Sequence, residues 1–99
     1  MTLDDMTTKL REANAVIPGK RLKLDHGPVG VIMLDGIAGT VTNDNGDADT
    51  TIAVSWDDWL AMTKGELDPM TAYMSGKLRI QGDMGLAMQM QGMLSKLKG

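Results

Sequence analysis

Few residues in this sequence have the types and spacing that enzyme chemistry needs. His26 is the single histidine, and the chain contains no cysteine. Without cysteine there is no thiolate nucleophile, no disulfide and no zinc site with cysteine ligands. His26 precedes Gly27 and Pro28, a pattern that favours an exposed turn over a catalytic base. No P-loop, nucleophile elbow or dinucleotide-binding fingerprint is present either. We therefore expect no catalytic residue, no enzyme activity and no cofactor.

The polar run NDNGDAD, residues 43–49, invites comparison with a calcium-binding loop. In an EF-hand loop the invariant glycine is the sixth residue, and acidic ligands occupy the first and twelfth positions. Aligning Asn45 and Gly46 with the fifth and sixth positions puts Val41 first and Ile52 twelfth, where neither can ligate calcium. We therefore predict no metal site, and we interpret this run as a hairpin loop with Asn45-Gly46 at its tip.

The remaining candidate for a binding function is apolar and lies near the end of the sequence. The chain has ten methionines and no phenylalanine. Placed on a helix at about 100° per residue, residues 83–97 form a wide apolar stripe, the usual core face. That stripe carries Leu86, Met90, Met93, Leu94 and Leu97. Met84 and Met88 fall on the other side, one turn apart, next to Gly85, Gly92 and Ser95.

This second, narrower strip has two interpretations. An interior glycine costs a helix roughly 1 kcal/mol relative to alanine, so two glycines on one side indicate a close approach to the backbone. The approaching group is either a neighbouring strand, helix or dimer partner, or an apolar ligand. Methionine suits a cavity for variable apolar molecules because it is unbranched and polarisable, but it suits a loosely packed core as well. The residue types alone leave both interpretations open.

The elements that must position these residues follow from the hydrophobic periodicity. Apolar residues at helical spacing predict a first helix from Leu3 to Ile17, with Thr2 as its N-cap. Four strands are predicted at residues 20–26, 29–34, 37–42 and 50–54. Two helices with Ser55 and Asp68 as N-caps, a strand at residues 77–81 and a helix capped by Asp83 follow. This order predicts one α+β domain over residues 1–99, with helices covering one face of an antiparallel sheet.

The charge pattern restricts the partners. A net charge of −3 and an isoelectric point near 4.9 argue against nucleic acid as a partner. The beginning of the sequence lacks the pattern of a secretory signal, and no apolar run approaches the roughly 18 residues of a membrane span. We therefore expect a cytoplasmic protein. The basic residues Lys20, Arg21 and Lys23 form either a solvated face or a patch for transient membrane contact.

The segment PMTAYMSGKLRIQGDMGLAMQMQGML resembles the sterol carrier protein-2 family of nonspecific lipid-transfer domains. Its matching residues are Pro69, Ala72, Tyr73, Met74, Gly76, Lys77, Leu78, Ile80, Gly82, Asp83, Leu86 and Ala87. Upstream, the strand-to-helix entry typical of the family is fitted by Thr51, Ile52, Val54, Ser55, Asp58 and Trp59. The resemblance covers residues 49–97, and the first half of the chain agrees only in the order of its elements.

The resemblance implies an antiparallel sheet of about five strands covered by helices, with an apolar tunnel between the layers and no catalytic residue. It implies binding, and transfer as a further step, of fatty acids, fatty acyl-CoA, sterol-like molecules or phospholipids. The residues that we expect to contact the lipid are Met84, Met88, Met74, Met70, Trp59, Leu60 and Met33. The alternative is a protein-interaction module in which the second strip of the last helix forms a homodimer interface.

Overall fold

Helices and strands alternate irregularly along the chain. The computed structural model describes the backbone of residues 1–97, and the side chains of this range except those at positions 91 and 94–97. The helices are α1 (Leu3–Glu12), α2 (Trp56–Thr63), α3 (Pro69–Met74) and α4 (Met84–Leu97). The strands are β1 (Arg21–Asp25), β2 (Val31–Asp35), β3 (Thr40–Thr42), β4 (Thr50–Val54) and β5 (Leu78–Gly82). A 3-10 turn, Gly27–Val29, joins β1 to β2. Within the described residues, no helix is long and apolar enough to cross a membrane.

The five strands form one sheet in the order β3-β2-β1-β4-β5. Neighbouring strands are antiparallel, except that β1 and β4 run parallel. Apolar residues from all four described helices join the inward residues of the strands in one core cluster. The predicted α+β class is therefore confirmed, with a mostly antiparallel sheet of five strands and helices on one face.

Residues 43–49 are not the hairpin loop that the sequence suggested. The strands β3 and β4 have β2 and β1 between them, so this segment must cross the sheet to join them. Its polar side chains bond to β1: Asn45 Oδ1 accepts from Lys23 Nζ at 3.1 Å, and Asp49 Oδ2 accepts from the backbone N–H of Arg21 at 2.8 Å. An Asn-Gly pair favours a tight turn but does not determine which strands pair. The hydrogen bonds of Asn45 and Asp49 to β1 hold residues 43–49 on their path across the sheet instead.

The strand before this crossover is shorter than predicted because a turn occupies residues 36–39. Asp35 Oδ1 accepts from the backbone N–H groups of Ile37 and Ala38, each at 2.9 Å. Such side-chain bonds to the following backbone stabilise a turn in place of an extended strand. Consequently β3 begins at Thr40 instead of Ile37.

The first helix starts as predicted but ends early. Thr2 Oγ1 accepts from the N–H of Asp5 at 3.1 Å, and Asp5 Oδ2 accepts from the N–H of Thr2 at 3.0 Å, which forms a capping box. The helix ends at Glu12 instead of Ile17. Asn14 adopts a left-handed conformation with φ of 51°, which no α-helix can continue through.

The other predicted caps are confirmed by their hydrogen bonds. Ser55 Oγ and Asp68 Oδ2 each accept a backbone N–H from the first turn of α2 and α3, at 3.2 and 3.3 Å. Asp83 Oδ1 accepts from the N–H of Gly85, near the start of α4, at 2.8 Å. These side chains satisfy backbone donors that have no partner inside the helix. They fix where the helices that carry the candidate site begin.

Candidate functional site

The last helix has the two faces that its sequence predicted. Leu86 and Met90 are buried, with 4% and 2% of their surface exposed, whereas Met84 and Met88 are 44% and 60% exposed. α4 thus presents a core face and, on its other side, an exposed apolar strip. The remaining predicted members of the core face are Met93, which is partly buried against the core, and Leu94 and Leu97, which lie outside the described side chains.

No neighbour from the described part of the chain packs closely against the glycines of this strip. A Cβ added at Gly92 would meet no atom within 4 Å, and one added at Gly85 would approach only the carboxylate of Asp83, at 3.1 Å. The interpretation that a strand or helix of this chain approaches both glycines is therefore wrong for the described residues.

A second exposed strip lies on α3. Met70 and Met74, one helical turn apart, are 48% and 80% exposed, and Tyr73 is 42% exposed. On the other side of this helix Ala72 is fully buried. Both α3 and α4 pack against β5, the edge strand of the sheet. We call these two pairs, Met70 with Met74 and Met84 with Met88, the methionine strips.

The other three predicted site residues lie elsewhere. Trp59 is buried and Leu60 is half-buried on α2, which packs against α4. Met33 is buried as well, but it alternates along β2 with the core residue Ile32 and so faces the opposite side of the sheet. The structure therefore brings six predicted residues to the helices on one side of the sheet and places Met33 on the other side.

An open cleft, which the sequence analysis did not predict, lies where β1 turns into β2. Its volume is about 610 Å³, and its walls come from the β1–β2 turn, the start of α2 and the turn before β5. The charged residues that line it are Asp25, Asp57, Lys77 and Arg79, so their formal charges cancel. Among the described residues, no group of three or more His, Cys, Asp or Glu side chains could hold a metal ion.

His26 lines this cleft and is buried, which corrects the prediction of an exposed turn residue. Only 2% of its surface is exposed. Leu22, Leu24 and His26 occupy alternate positions, so the imidazole continues the inward series of β1. The turn itself starts one residue later, at Gly27. The period of two was visible in the sequence and was the signal that could have placed His26 inside.

The imidazole of His26 is neutral at pH 7 and bonded at one nitrogen. Nδ1 lies 2.9 Å from the carbonyl oxygen of Val54, which can only accept, so Nδ1 carries a hydrogen. Burial lowers the pKa of His26 below its ordinary value of 6.5, and it outweighs the Val54 hydrogen bond and the charge of Asp25, which act in the opposite direction. Nε2 therefore presents a lone pair, and it has no hydrogen-bond partner among the described residues.

Two tryptophan rings from α2 adjoin His26. The Trp56 ring meets it edge-on with 5.2 Å between centroids, and the Trp59 ring is tilted with 5.4 Å between centroids. Trp56 is half-buried and lines the cleft, whereas Trp59 is buried behind it in the core cluster. The indole N–H of Trp59 also has no hydrogen-bond partner among the described residues. A buried acceptor and a buried donor therefore occur on adjoining rings.

These features define a class of small α+β domains, in which helices cover one face of a five-stranded sheet and leave apolar side chains exposed at its edge. Within that class the family can be named. The model of the SCP-2 sterol transfer family matches residues 4–95, and the chain belongs to this family. The resemblance seen in residues 49–97 is thus confirmed and extends over the first half.

The relatives include one much longer protein and two structures of similar size. Sterol carrier protein 2 of Bos taurus is 38% identical over 77 residues, which cover 72% of this chain but only 14% of that protein. The solution structure of the sterol carrier protein domain 2 of Helicoverpa armigera has a TM-score of 0.62 at 27% identity, over 95% of this chain and 80% of the other. Sterol Carrier Protein-2 from Aedes aegypti, in complex with palmitate, has a TM-score of 0.79 at 19% identity, over 99% and 100%. The last comparison supports the fold.

Proposed function

We propose that this protein binds lipids by their apolar chains and carries out no reaction on them. The observation that carries the proposal is the pair of exposed methionine strips on a chain of the SCP-2 sterol transfer family. Large apolar side chains clustered on a surface mark sites for ligands, membranes or partner proteins. The Aedes aegypti protein of the same fold binds palmitate, which supports a long acyl chain as the ligand class.

The composition of the core supports a ligand space that opens on binding. A dry tunnel of about 300 Å³, the small end of ligand pockets, would cost about 7 kcal/mol at roughly 24 cal/mol per Å³. Whole domains are stable by only about 5–15 kcal/mol. Met6, Met62 and Met90 are buried in the core cluster, and methionine refills irregular space easily. We therefore propose that these side chains close the core when no lipid is bound and rearrange around a lipid chain.

The methionine strips form the proposed entrance to this ligand space in the core. We propose that the lipid lies along α4 and α3 at the β5 edge, where covering a large apolar side chain contributes on the order of 1 kcal/mol or more. Trp59 and Leu60 line the inner end of this path, because α2 packs against α4. The proposed contact residues are Met84, Met88, Met74, Met70, Trp59 and Leu60. Met33 is left out, since it faces the other side of the sheet.

The proposed ligands are fatty acids, fatty acyl-CoA, sterol-like molecules and phospholipids. Transfer requires a transient contact with a membrane surface, and the methionine strips are the surface that we propose for it. The cytoplasmic location expected from the sequence stays a prediction. Because this chain spans a small part of its curated relatives, the activities of those whole proteins are not carried over to it.

Thermal unfolding of delipidated protein tests the proposal. A ligand at about 100 times its Kd stabilises the folded state by ~2.7 kcal/mol, which raises Tm by roughly 10–20 °C for a domain of this size. We expect this shift with at least one member of a panel of fatty acids, acyl-CoAs, sterols and phospholipids. A Tm that no member of the panel changes would contradict lipid binding.

The same strips favour one alternative, a homodimer interface. A second copy packed on the strips would cover Met84 and Met88, which are 44% and 60% exposed. Native mass spectrometry of the delipidated protein separates the two functions. A monomer that acquires one lipid supports the proposed function, whereas a dimer that excludes lipid supports the alternative.

A further inference from the structure

The methionines of this chain differ sharply in their exposure to solvent. The buried group has 0–3% of its surface exposed and consists of Met6, Met33, Met62 and Met90. The exposed group has 44–80% of its surface exposed and consists of Met1 and the four residues of the methionine strips, Met70, Met74, Met84 and Met88. Met93 lies between the two groups, partly buried against the core. The strips therefore place four thioether groups where solvent reaches them.

The sulfur atom distinguishes these strips from ordinary apolar surface. Leucine has nearly the same helix propensity as methionine, so two helices could carry leucine at these positions equally well. Methionine differs from leucine in its flexibility, which suits the proposed lipid site, and in a sulfur atom that peroxides oxidise. Because the chain has no cysteine, its methionines hold all of its sulfur. An oxidant of sulfur therefore acts first on the strips and on Met1.

The reaction transfers one oxygen atom. A lone pair of the thioether sulfur attacks one oxygen of a peroxide, and an S=O bond forms as the O–O bond breaks. The leaving oxygen takes up the proton of the transferred one, so the peroxide departs as water or as an alcohol. The sulfur is oxidised by two electrons, which reduce the peroxide. The product, methionine sulfoxide, is polar, and methionine sulfoxide reductases convert it back to the thioether.

We propose that the four strip methionines are reversible oxidation sites, and that their oxidation blocks lipid binding without unfolding the protein. A sulfoxide that a lipid chain covers loses its hydrogen bonds to water, which weakens binding roughly 5- to 150-fold. The inference rests on the proposed function, because it assigns a regulation to the same site.

The fold withstands this oxidation because the core methionines are enclosed. Met6, Met62 and Met90 are 0–2% exposed in the core cluster, so a peroxide reaches them only when the protein opens. The strip side chains already face solvent in the lipid-free protein, and a polar group there costs little. Met1 serves as an internal control. It precedes α1, which packs against β3 at the sheet edge opposite to β5.

The test treats the delipidated protein with hydrogen peroxide and locates the added oxygen by peptide mass spectrometry. We expect oxidation of Met1 and the strips before that of the buried group. Palmitate affinity, measured by isothermal titration, should then fall at least about fivefold. The Tm of the lipid-free protein should change by less than about 4 °C. Treatment with methionine sulfoxide reductases for both sulfoxide epimers should restore the affinity.

The matched variant keeps the strips apolar and removes their sulfur. It carries Met70→Leu, Met74→Leu, Met84→Leu and Met88→Leu. Whatever its starting affinity for palmitate, peroxide should change that affinity less than about twofold, although Met1 is still oxidised.

The outcomes separate this inference from the proposed function. Unchanged palmitate affinity with all four strip methionines oxidised would overturn the inference and leave lipid binding in place. An equal peroxide effect in the leucine variant, or a Tm that falls together with the affinity, would also overturn it, because the loss would then come from other residues. If the untreated protein binds no lipid, the proposed function is wrong and the inference falls with it. Should the leucine variant not fold, affinity that stays low after the strip sulfoxides are reduced would contradict the inference.

Discussion

The structure predicts that an aspartate introduced on the core face of α4 destabilises the fold, whereas one on the exposed face weakens lipid binding. Met90 is 2% exposed within the core cluster, and Met88 is 60% exposed on the strip. Truncating a buried methionine to alanine costs about 2–5 kcal/mol, and an unpaired aspartate at the same place costs more. Since a domain is stable by about 5–15 kcal/mol, Met90→Asp should unfold the protein or leave it marginal.

Met88→Asp should leave the fold of the lipid-free protein intact. An exposed helix position tolerates this change at a cost of about 1 kcal/mol or less. Lipid binding should suffer instead. Full burial of a methionine is worth about 1.5–3 kcal/mol. Because 60% of Met88 is exposed, a lipid can cover at most that share, about 0.9–1.8 kcal/mol. Losing it weakens binding roughly 5- to 20-fold, and the desolvated charge adds to the loss.

The assay is denaturant unfolding of both variants, together with lipid titration and a sizing measurement. Gln89→Asp is the matched control, because it adds the same charge to an exposed position of α4 without removing a methionine. We expect Gln89→Asp to keep both stability and lipid affinity. Equal destabilisation by Met88→Asp and Met90→Asp would show that α4 is buried all round, and the two-face interpretation would then be wrong.

Two further predictions concern α4 and the buried imidazole. Gly92→Ala should raise the unfolding free energy of the lipid-free protein by about 1 kcal/mol, since the added Cβ would meet no atom of the described residues within 4 Å. An unchanged or lower midpoint in a urea melt would refute this prediction. Because the pKa of His26 is lowered in the folded state, the unfolded chain takes up a proton at a higher pH than the folded one. The contribution of neutral His26 to the free energy of unfolding should therefore be fully present above about pH 6.5. It should decrease as the pH falls toward the pKa of His26 in the folded protein. The charged groups that line the same cleft are Asp25, Asp57, Lys77 and Arg79. Unfolding curves between pH 5 and 8 should show this slope, and His26→Phe should remove it; a slope that persists in His26→Phe would assign it to other groups.

Local chemistry explains why part of the fold was predictable. The caps at Thr2, Ser55 and Asp68 satisfy helix donors within three residues, so their bonds are encoded in short stretches of sequence. The faces of α4 follow from a helical period that one segment contains in full. Met88 and Met90 therefore fall on opposite sides whatever lies beside the helix.

Features set by distant partners were not predictable in this way. The crossover at residues 43–49 depends on bonds from Asn45 and Asp49 to β1, more than twenty residues earlier in the chain. His26 was misplaced because the adjacent Gly27 and Pro28 indicate a turn, whereas its burial depends on Val54 and on the rings of α2. The cleft joins three separate segments, and no single stretch of sequence contains a pattern for it.

The most direct test of lipid binding is isothermal titration of the delipidated protein with saturated fatty acids of increasing length, each below its critical micelle concentration. If the chain encloses the acyl group, one lipid should bind per chain. Each additional pair of buried methylene groups should then lower Kd roughly 15-fold until the available space is filled, at ~0.8 kcal/mol per methylene. Heats that do not saturate, or a Kd independent of chain length, would contradict the account.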